Sequence, residues 1–193
     1  MITVLMATYQ GRQLDTILAQ TVPVKILISD DGSDDGTREM LDNYAGWYPE
    51  QVVLHHRTEH TGGAAGNFFW LMQEALKDEK NEYILLSDQD DVWENDKVSV
   101  MLHRMKVLEK GLGSACPILL YSDMEVVDEE LYEISPSFAS YTHQDPDRSS
   151  FAELLVENQV TGGASMINRA LLMRCAKAPE VCCMHDWWIA LTA

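Results

Sequence analysis

The sequence predicts an α/β fold, with a mostly parallel central sheet and helices on both of its faces. Short apolar segments alternate with segments of helical periodicity between Ile2 and Leu108, which is the pattern of strands connected by helices. Pro23 is expected to end the first helical segment, and Asp96 is expected to cap the helix that follows the fourth strand. The 193 residues contain no internal repeat and no low-complexity linker, so we expect a single domain with a sizeable core.

Strands are predicted where apolar residues run together without helical spacing and end at turn residues. The four segments expected to pair in parallel are Ile2–Met6, Val24–Ile28, Val52–Leu54 and Tyr83–Leu86. Less regular segments later in the chain predict further strands at Ile118–Ser122 and Gly163–Ile167, and Glu125–Val127 is expected to begin a hairpin.

Helices are predicted after each of the four strands, because apolar residues recur there every three or four positions. Their apolar faces include Leu14 and Ile17, Leu41 and Tyr44, Phe69 and Met72, and Met101 and Met105. Thr37 is expected to cap the second of these helices. Short helices are also expected at Phe151–Val156 and Asp186–Leu191, and the polar segment Leu131–Ser150 is expected to be a long functional loop.

The net charge of −17 narrows the possible classes of function. Such a field repels nucleic acid, and no segment rich in lysine and arginine offsets it, so we expect no nucleic-acid partner. The charge also argues against electrostatic docking to anionic lipid. No apolar stretch is long enough to span a bilayer, and the run Ile2–Ala7 lacks the basic flank of a signal peptide. The four cysteines form no CxxC pair, so we expect reduced thiols in a cytoplasmic protein.

Two clusters of aspartate follow predicted strands. Asp30 and Asp31 follow the second strand, and Asp88, Asp90 and Asp91 follow the fourth. Ligands of open parallel sheets bind at the carboxyl ends of the strands, so we expect both clusters to border one crevice. Carboxylate oxygens there suit Mg²⁺ or Mn²⁺, which can hold a diphosphate through one or two protein carboxylates. The remaining acids are expected to accept hydrogen bonds from ribose hydroxyls or from a pyrimidine N–H.

Three other interpretations of these segments are open. Asp31, Ser33 and Asp35 imitate the start of an EF-hand calcium loop, although Asp42 replaces the expected glutamate and a strand precedes the loop. A dinucleotide-binding fold requires GxGxxG after the first strand, where residues 7–11 lack it. A non-catalytic protein that binds nucleotide or glycan could keep the same fold.

Several segments carry a resemblance to a known family. They are Met6–Tyr9, Ser29–Ser33, Ser87–Trp93 and His185–Asp186. In their order and spacing they resemble the motifs of family-2 glycosyltransferases across nearly the whole chain. Within that family the chain looks most like bacterial rhamnosyltransferases that build cell-wall and capsular polysaccharide. This closer resemblance rests on Ser87–Trp93, Tyr121–Asp123, Glu157–Gly163 and Met184–Trp188.

The resemblance implies a GT-A-like fold and a set of residues that bind a nucleotide-sugar donor. Ala7 and Tyr9 would line the nucleobase. Asp31 would accept a hydrogen bond from the N–H of the base, with Asp30 as the second candidate for that role. Asp88 would face the ribose or the sugar.

The resemblance also implies how the diphosphate is held. Asp90 would bind the metal, which makes Asp88–Asp90 the DxD motif, and Asp91 would support the loop. Gly63 and Asn67 would lie close to the donor, the glycine because its backbone can approach a ligand closely. A tight strand-to-helix turn is the alternative explanation for the glycine.

On the acceptor side, the resemblance implies that Asp186 is the general base. Gly162, Gly163, His185 and Trp187 are candidates for contacts with the acceptor or the sugar. The sequence leaves alternatives open for each of them. The glycines could form a simple turn, His185 could orient Asp186 or lie near the metal or diphosphate, and Trp187 could pack the final helix.

The function that the resemblance implies is that of a metal-dependent inverting glycosyltransferase with Mg²⁺ or Mn²⁺ as cofactor. It would move a sugar, with rhamnose favoured, from a dTDP- or UDP-linked donor to a glycan or lipid-linked acceptor. A nucleotide-sugar-binding half, residues 1–93, would be followed by an acceptor-facing half, residues 94–193. The expected location is the cytoplasm, at the inner face of the plasma membrane if the acceptor is lipid-linked.

The chain departs from the family in one respect. It ends at Ala193, a few residues after Asp186, whereas family members usually continue into further strands and helices that often include a metal-binding histidine. The resemblance therefore favours a C-terminally truncated chain, in which contact with a membrane would come through the acceptor or through absent residues. An inactive fragment that only binds nucleotide or glycan is the alternative to the enzyme.

Overall fold

A six-stranded sheet lies at the centre of the computed structural model, which describes residues 1–7, 12–33, 36–57, 63–88 and 90–193. In chain order the strands are β1 Ile2–Ala7, β2 Lys25–Asp30, β3 Val52–His56, β4 Tyr83–Ser87, β5 Leu119–Tyr121, β6 Val126–Val127, β7 Glu133–Ser135 and β8 Ser165–Asn168. The sheet order is β3-β2-β1-β4-β8-β5, and β6 and β7 form a separate hairpin. The first four strands pair in parallel, and β8 runs antiparallel to β4 and β5. The predicted mostly parallel sheet is therefore confirmed.

Helices cover both faces of this sheet, as predicted. They are α1 Arg12–Leu18, α2 Thr37–Trp47, α3 Ala64–Leu76, α4 Lys97–Leu112, α5 Phe138–Tyr141, α6 Phe151–Leu154, α7 Arg169–Cys175 and α8 His185–Thr192. Successive side chains of β1 point to opposite faces. Val4 and Met6 pack with residues of α1, α2 and α4, whereas Leu5 packs with residues of α3, α7 and α8. Within the described part of the chain, no helix is both long and apolar enough to cross a membrane.

The C-terminal half contains more regular structure than the sequence predicts. The segment Leu131–Ser150, expected to be a loop, contains β7 and α5, which are too short to give a periodic signal. Ser137 caps α5 by accepting a hydrogen bond from the N–H of Ser140 at 3.0 Å. Helix α7 is a further difference from the prediction, and it begins where the Asn168 side chain accepts a hydrogen bond from the N–H of Leu171 at 3.1 Å.

The predicted starts of α2 and α4 are correct to within one residue. Gly36, with a φ of 86°, occupies the cap position expected for Thr37, which becomes the first residue of α2. Asp96 occupies the cap position of α4, although its side chain accepts no hydrogen bond from the helix.

The strand directions bring three distant segments to one edge of the sheet. β1 pairs with both β2 and β4, with Ala7 opposite Ser29 and Met6 opposite Ser87, so the three strands end side by side. β8 runs the other way, so its first residues lie at that same edge. The 3₁₀ turn Gly162–Ala164 directly precedes β8 and is buried there. The turns after β2 and β4 and the turn before β8 therefore meet.

Candidate active site

A cavity of about 350 Å³ opens at the carboxyl ends of β1, β2 and β4. It is lined by Ala7, Asp31, Gly63, Ala64, Asn67, Phe68, Asp88 and Asp90. The two aspartate clusters therefore share one cavity, as their places at neighbouring strand ends require. Tyr9 lies outside the described residues, so its role stays a prediction.

The N-terminus of α3 forms one wall of this cavity. Gly63 precedes the helix with a φ of 108°, a conformation that favours glycine, and its carbonyl accepts a hydrogen bond from the N–H of Asn67 at 3.0 Å. The buried Asn67 side chain donates to the carbonyl of Ser29 at 3.1 Å. Its Oδ1 has no hydrogen-bond partner among the described residues, so it can accept one from a bound ligand.

Asp30 lies beside the cavity but does not line it. Its side chain is fully buried, and its two oxygens accept hydrogen bonds from Arg38 Nε at 2.7 Å and from the N–H of Ser33 at 3.0 Å. Burial raises the pKa of Asp30, but the hydrogen bonds from Ser33 and Arg38 outweigh burial and hold the pKa below its ordinary value of 3.8. Asp30 therefore fastens the turn after β2, and Asp31 is the member of this cluster that faces the cavity.

The turn before β8 contacts carboxylates from two directions. The N–H of Gly163 donates to Asp88 Oδ2 at 3.2 Å, and the backbone of Gly162 hydrogen-bonds Asp186. A Cβ added to Gly163 would lie 2.5 Å from Asp91 Oδ2 and 2.8 Å from Asp88 Oδ2. Only glycine fits at this position without displacing the two carboxylates. Through its hydrogen bonds to Asp88 and Asp186, the turn joins the loop after β4 to the start of α8.

Burial changes the proton affinity of three of these acids. It is the largest cause of a raised pKa at Asp88, Asp91 and Asp186. Repulsion between neighbouring carboxylates raises the pKa of Asp88 and Asp91 further, whereas the N–H of Gly163 opposes the rise at Asp88. Asp91 Oδ2 is buried and has no hydrogen-bond partner in the described part of the chain, which marks a site that positive charge would stabilise.

Lys97 brings a positive charge among these carboxylates. As the first residue of α4 it donates from Nζ to the carbonyl of Gly163 at 2.7 Å, and Nζ lies 3.9 Å from the centroid of the Trp93 ring. Burial lowers the pKa of Lys97 to about 8, and the charges of Asp91 and Asp88 oppose this change. Lys97 is therefore mostly protonated at pH 7.

Asp186 lies in the first turn of α8, where its Oδ1 accepts a hydrogen bond from the N–H of Trp187 at 2.7 Å. The side chain of Asn158 also hydrogen-bonds Asp186. The indole N–H of Trp187 donates to the carbonyl of Leu154 at 2.5 Å, which fastens α8 to α6. The indole N–H of Trp187 is therefore used in packing α8 against α6. The carboxylate of Asp186 accepts several hydrogen bonds.

His185 packs behind the cavity instead of lining it. Its ring is only 2% exposed and stacks on Phe68, with centroids 4.0 Å apart. Burial lowers the pKa of His185 to about 4, so the ring is neutral at pH 7. Neither ring nitrogen has a hydrogen-bond partner among the residues described. Because Phe68 lines the cavity, this stack fixes the start of α8 against the cavity wall.

The carboxylates fit a metal that is bound together with a ligand. Among the described residues, no group of three or more His, Cys, Asp and Glu side chains is arranged to hold a metal ion alone. Mg²⁺ is usually held by one or two carboxylates together with substrate phosphates. The exposed Asp90 and its neighbour Asp88 line the cavity together and offer such a pair.

The calcium-loop interpretation does not fit the fold. An EF-hand loop connects two helices, whereas β2 leads directly into the turn at Asp31. Among the described residues of this turn, Asp31 lines the cavity and Ser33 donates its N–H to Asp30.

Three residues of the site carry no sequence-based prediction. Phe68 is indistinguishable in the sequence from other apolar residues of α3, and Asn158 lies in the resembling segment Glu157–Gly163 but has no assigned role there. Lys97 does carry a signal, because a lysine in the first turn of a helix opposes the helix dipole. Such a local conflict points to a tertiary or functional reason for the residue.

The fold and the cavity at the carboxyl ends of the parallel strands can be compared with those of known protein families. The chain belongs to the family described as glycosyl transferase family 2, whose pattern it matches over residues 4–175. It is 26% identical to the dTDP-rhamnosyl transferase RfbG of Shigella flexneri over 95% of this chain and 63% of that relative. It is 28% identical to the putative teichuronic acid biosynthesis glycosyltransferase TuaG of Bacillus subtilis over 87% of this chain and 66% of that relative. The chain thus spans under two thirds of the length of these relatives.

Solved structures confirm the GT-A-like fold. S. aureus TarS 1-349 superposes with a TM-score of 0.61 at 13% identity, over 100% of this chain and 55% of that one. The mannosyltransferase PcManGT from Pyrobaculum calidifontis, in complex with GDP-Man and Mn²⁺, gives a TM-score of 0.59 at 19% identity, over 96% of this chain and 49% of that one. At these identities the likeness concerns the fold alone.

We expect Gly163→Ala to lower the free energy of unfolding by about 1–3 kcal/mol, because the new methyl group must displace Asp88 and Asp91. Gly46→Ala is the matched control. A Cβ at Gly46 meets no atom within 4 Å, and alanine favours the helix by roughly 0.5–1 kcal/mol. Urea denaturation measures both. Equal stability of Gly163→Ala and the wild type would contradict the close approach.

We expect Asp30→Asn to cost about 1–3 kcal/mol at pH 7, because a charge-assisted bond to Arg38 is lost. A carboxyl whose pKa is lowered by folding stabilises the native state above its unfolded pKa, and this stabilisation is lost as the pH falls through the folded pKa. The difference in free energy of unfolding between wild type and variant should therefore have its full size at neutral pH. It should shrink as the pH falls below about 4. Denaturation at several pH values, with the exposed Asp147→Asn as control, measures it. A gap that does not change with pH would contradict the assignment.

Proposed function

We propose that this chain is a metal-dependent inverting glycosyltransferase that moves a sugar from a nucleotide diphosphate to a glycan or lipid-linked acceptor in cell-surface polysaccharide synthesis. The observation that carries the proposal is the cavity in which Asp31 lies with Asp88 and Asp90. Through the turn Gly162–Ala164, Asp88 is joined to Asp186. Membership of glycosyl transferase family 2 supports the reaction class.

We assign the nucleoside of the donor to the part of the cavity formed by Ala7, Asp31 and Asn67. Asp31 would accept a hydrogen bond from the N–H of a pyrimidine base, and Asn67 Oδ1 would accept one from the nucleoside. The N-terminus of α3, at Gly63, would face the diphosphate, because a helix N-terminus favours negative charge. The similarity to a dTDP-rhamnosyl transferase supports dTDP-rhamnose as donor, with UDP-hexoses as the next candidates.

Asp90, with Asp88 beside it, would hold Mg²⁺ or Mn²⁺ as the DxD motif. A bound divalent ion would offset the negative charge that develops on the leaving diphosphate. The raised pKa values of Asp88 and Asp91, caused by burial and by mutual repulsion, support a site that takes up positive charge. The Mn²⁺ in the mannosyltransferase of similar fold supports the same choice of cofactor.

Asp186 would act as the general base. An acceptor hydroxyl has a pKa far above 7, so it must lose its proton as it attacks. The carboxylate of Asp186 would take that proton while the acceptor oxygen bonds to the anomeric carbon. The bond from this carbon to the diphosphate oxygen would break on the opposite face, which inverts the configuration. Burial raises the pKa of Asp186, which makes it a better proton acceptor than an exposed aspartate.

We further propose that residues 1–93 bind the donor and residues 94–193 face the acceptor. All the residues that line the cavity belong to the first part, whereas Gly162, Gly163 and Asp186 belong to the second. His185 and Trp187 would act on the acceptor side indirectly, since both are engaged in packing. We expect the enzyme in the cytoplasm, at the inner membrane face if the acceptor is lipid-linked, and its four free cysteines support a reducing compartment.

We expect Asp90→Ala and Asp186→Ala each to lower the rate of sugar transfer by on the order of 10²–10³-fold, because each removes a preorganised charged group from the reacting centre. Both variants should keep the native fold. Transfer is measured with dTDP- and UDP-sugars in the presence of Mn²⁺ and of a chelator. Glu50→Ala, an exposed acid in the turn before β3, is the control and should keep the wild-type rate.

Near wild-type turnover in either variant would show that its assignment is wrong. Transfer that is unchanged by the chelator would remove the metal from the proposal. A wild-type chain that binds a nucleotide sugar but neither transfers nor hydrolyses it would favour the binding-only alternative.

A further inference from the structure

The turn Gly162–Ala164 lies between two charged groups of opposite sign. The N–H of Gly163 donates to Asp88 Oδ2 at 3.2 Å, while its carbonyl accepts a hydrogen bond from Lys97 Nζ at 2.7 Å. A single residue is therefore held from one side by a carboxylate and from the other by an ammonium group. Its neighbour Gly162 contacts Asp186, so any displacement of the turn moves the surroundings of Asp88 and Asp186 together.

Lys97 is fixed in place by elements that do not touch the cavity. Its Nζ lies over the ring of Trp93, which is itself buried and whose backbone N–H donates to Thr16 Oγ1 at 3.1 Å. The start of α4 is tied to the segment that follows α1, since Gln20 Oε1 accepts a hydrogen bond from the N–H of Val98 at 3.0 Å. These contacts therefore fix the position from which the ammonium group hydrogen-bonds the turn.

The start of α4 is an unfavourable place for a buried positive charge, and the neighbouring carboxylates compensate for it. A positive side chain in the first turn of a helix is disfavoured by the helix dipole. Burial also disfavours the ammonium form of Lys97, and the charges of Asp91 and Asp88 oppose that effect. An exposed lysine later in α4, such as Lys106, is neither buried nor in the first turn of the helix.

We infer that Lys97 is a positioning residue, whose ammonium group holds Gly163 so that Asp88 and Asp186 keep the separation that transfer requires. The inference rests on the proposed function, because it assigns those two acids to the donor and to the acceptor. Lys97 does not line the cavity and acts only through the turn. Its loss should therefore slow the chemical step more than it weakens binding of the nucleotide, which we place at Asp31 and Asn67.

The test compares three variants with the wild type. Lys97→Met removes the charge and the donor but keeps an unbranched side chain. Lys97→Arg keeps the charge, the donors and the ability to stack on Trp93. Lys106→Met removes one exposed positive charge from the same helix and is the matched control. The measurements are kcat and KM for the nucleotide sugar, and the hydrogen-exchange rate of the Gly163 amide in protein labelled with ¹⁵N-glycine, which contains 11 glycines.

For Lys97→Met we expect kcat to fall by on the order of 10–100-fold and KM for the donor to change less than about threefold, since small displacements of reacting groups have effects of this size. The Gly163 amide should exchange at least about tenfold faster, because its bond to Asp88 is no longer supported. Lys97→Arg should recover most of both properties, and Lys106→Met should match the wild type.

Wild-type kcat, or unchanged exchange at Gly163, in a folded Lys97→Met would overturn the inference. If Lys97→Met does not fold, Lys97→Arg decides: slow exchange and a kcat within about tenfold of wild type support the role, and fast exchange overturns it. If the wild type transfers no sugar, the proposed function fails, and the exchange rates still decide whether Lys97 holds the turn.

Discussion

The crowding of carboxylates against the turn Gly162–Ala164 is the constraint on which the rest of the site depends. Asp88 and Asp91 approach Gly163 so closely that no side chain fits there, and burial raises the pKa of both acids. Like charges in a partly dry site repel strongly. The fold offsets the repulsion with a backbone N–H and with the ammonium group of Lys97. A divalent ion bound at these carboxylates would offset the remaining negative charge, which links the stability of the site to the metal that it is proposed to bind.

The order of the strands explains how distant segments reach this turn. β1 lies between β2 and β4, so the aspartates that follow those two strands border the same cavity. The antiparallel direction of β8 puts its first residues at the same edge, and the stack of His185 on Phe68 brings the start of α8 beside them. If β8 ran parallel to β4, Gly163 would lie at the opposite edge of the sheet. One reversed strand therefore joins the donor side of the site to the acceptor side.

The parallel half of the fold and the meeting of the two aspartate clusters could be predicted from the sequence, because both follow from strand–helix alternation. The finer arrangement depends on tertiary packing. Asp30 and Asp31 are equivalent neighbours in the sequence, and only the contacts of Arg38 and the following turn separate a structural acid from one that faces the cavity. The position of Lys97 in the first turn of a helix signals a tertiary reason for the residue, but its partner Gly163 is far away in the sequence and only the fold identifies it. The elements β7 and α5 are too brief for periodicity to reveal them.

The central claim is that the turns after β2 and β4 form one site for a nucleoside diphosphate and a divalent ion. Thermal unfolding with UDP or dTDP, each with and without Mn²⁺, tests this most directly, because a ligand that binds only the native state raises Tm. At a nucleotide concentration a hundredfold above Kd the stabilisation is about 2.7 kcal/mol, which corresponds to a rise of roughly 5–10 °C for a chain of this length. Such a rise is expected only with nucleotide and Mn²⁺ together, and it should be lost in Asp90→Ala. No rise with either nucleotide, or an equal rise in Asp90→Ala, would contradict the central claim.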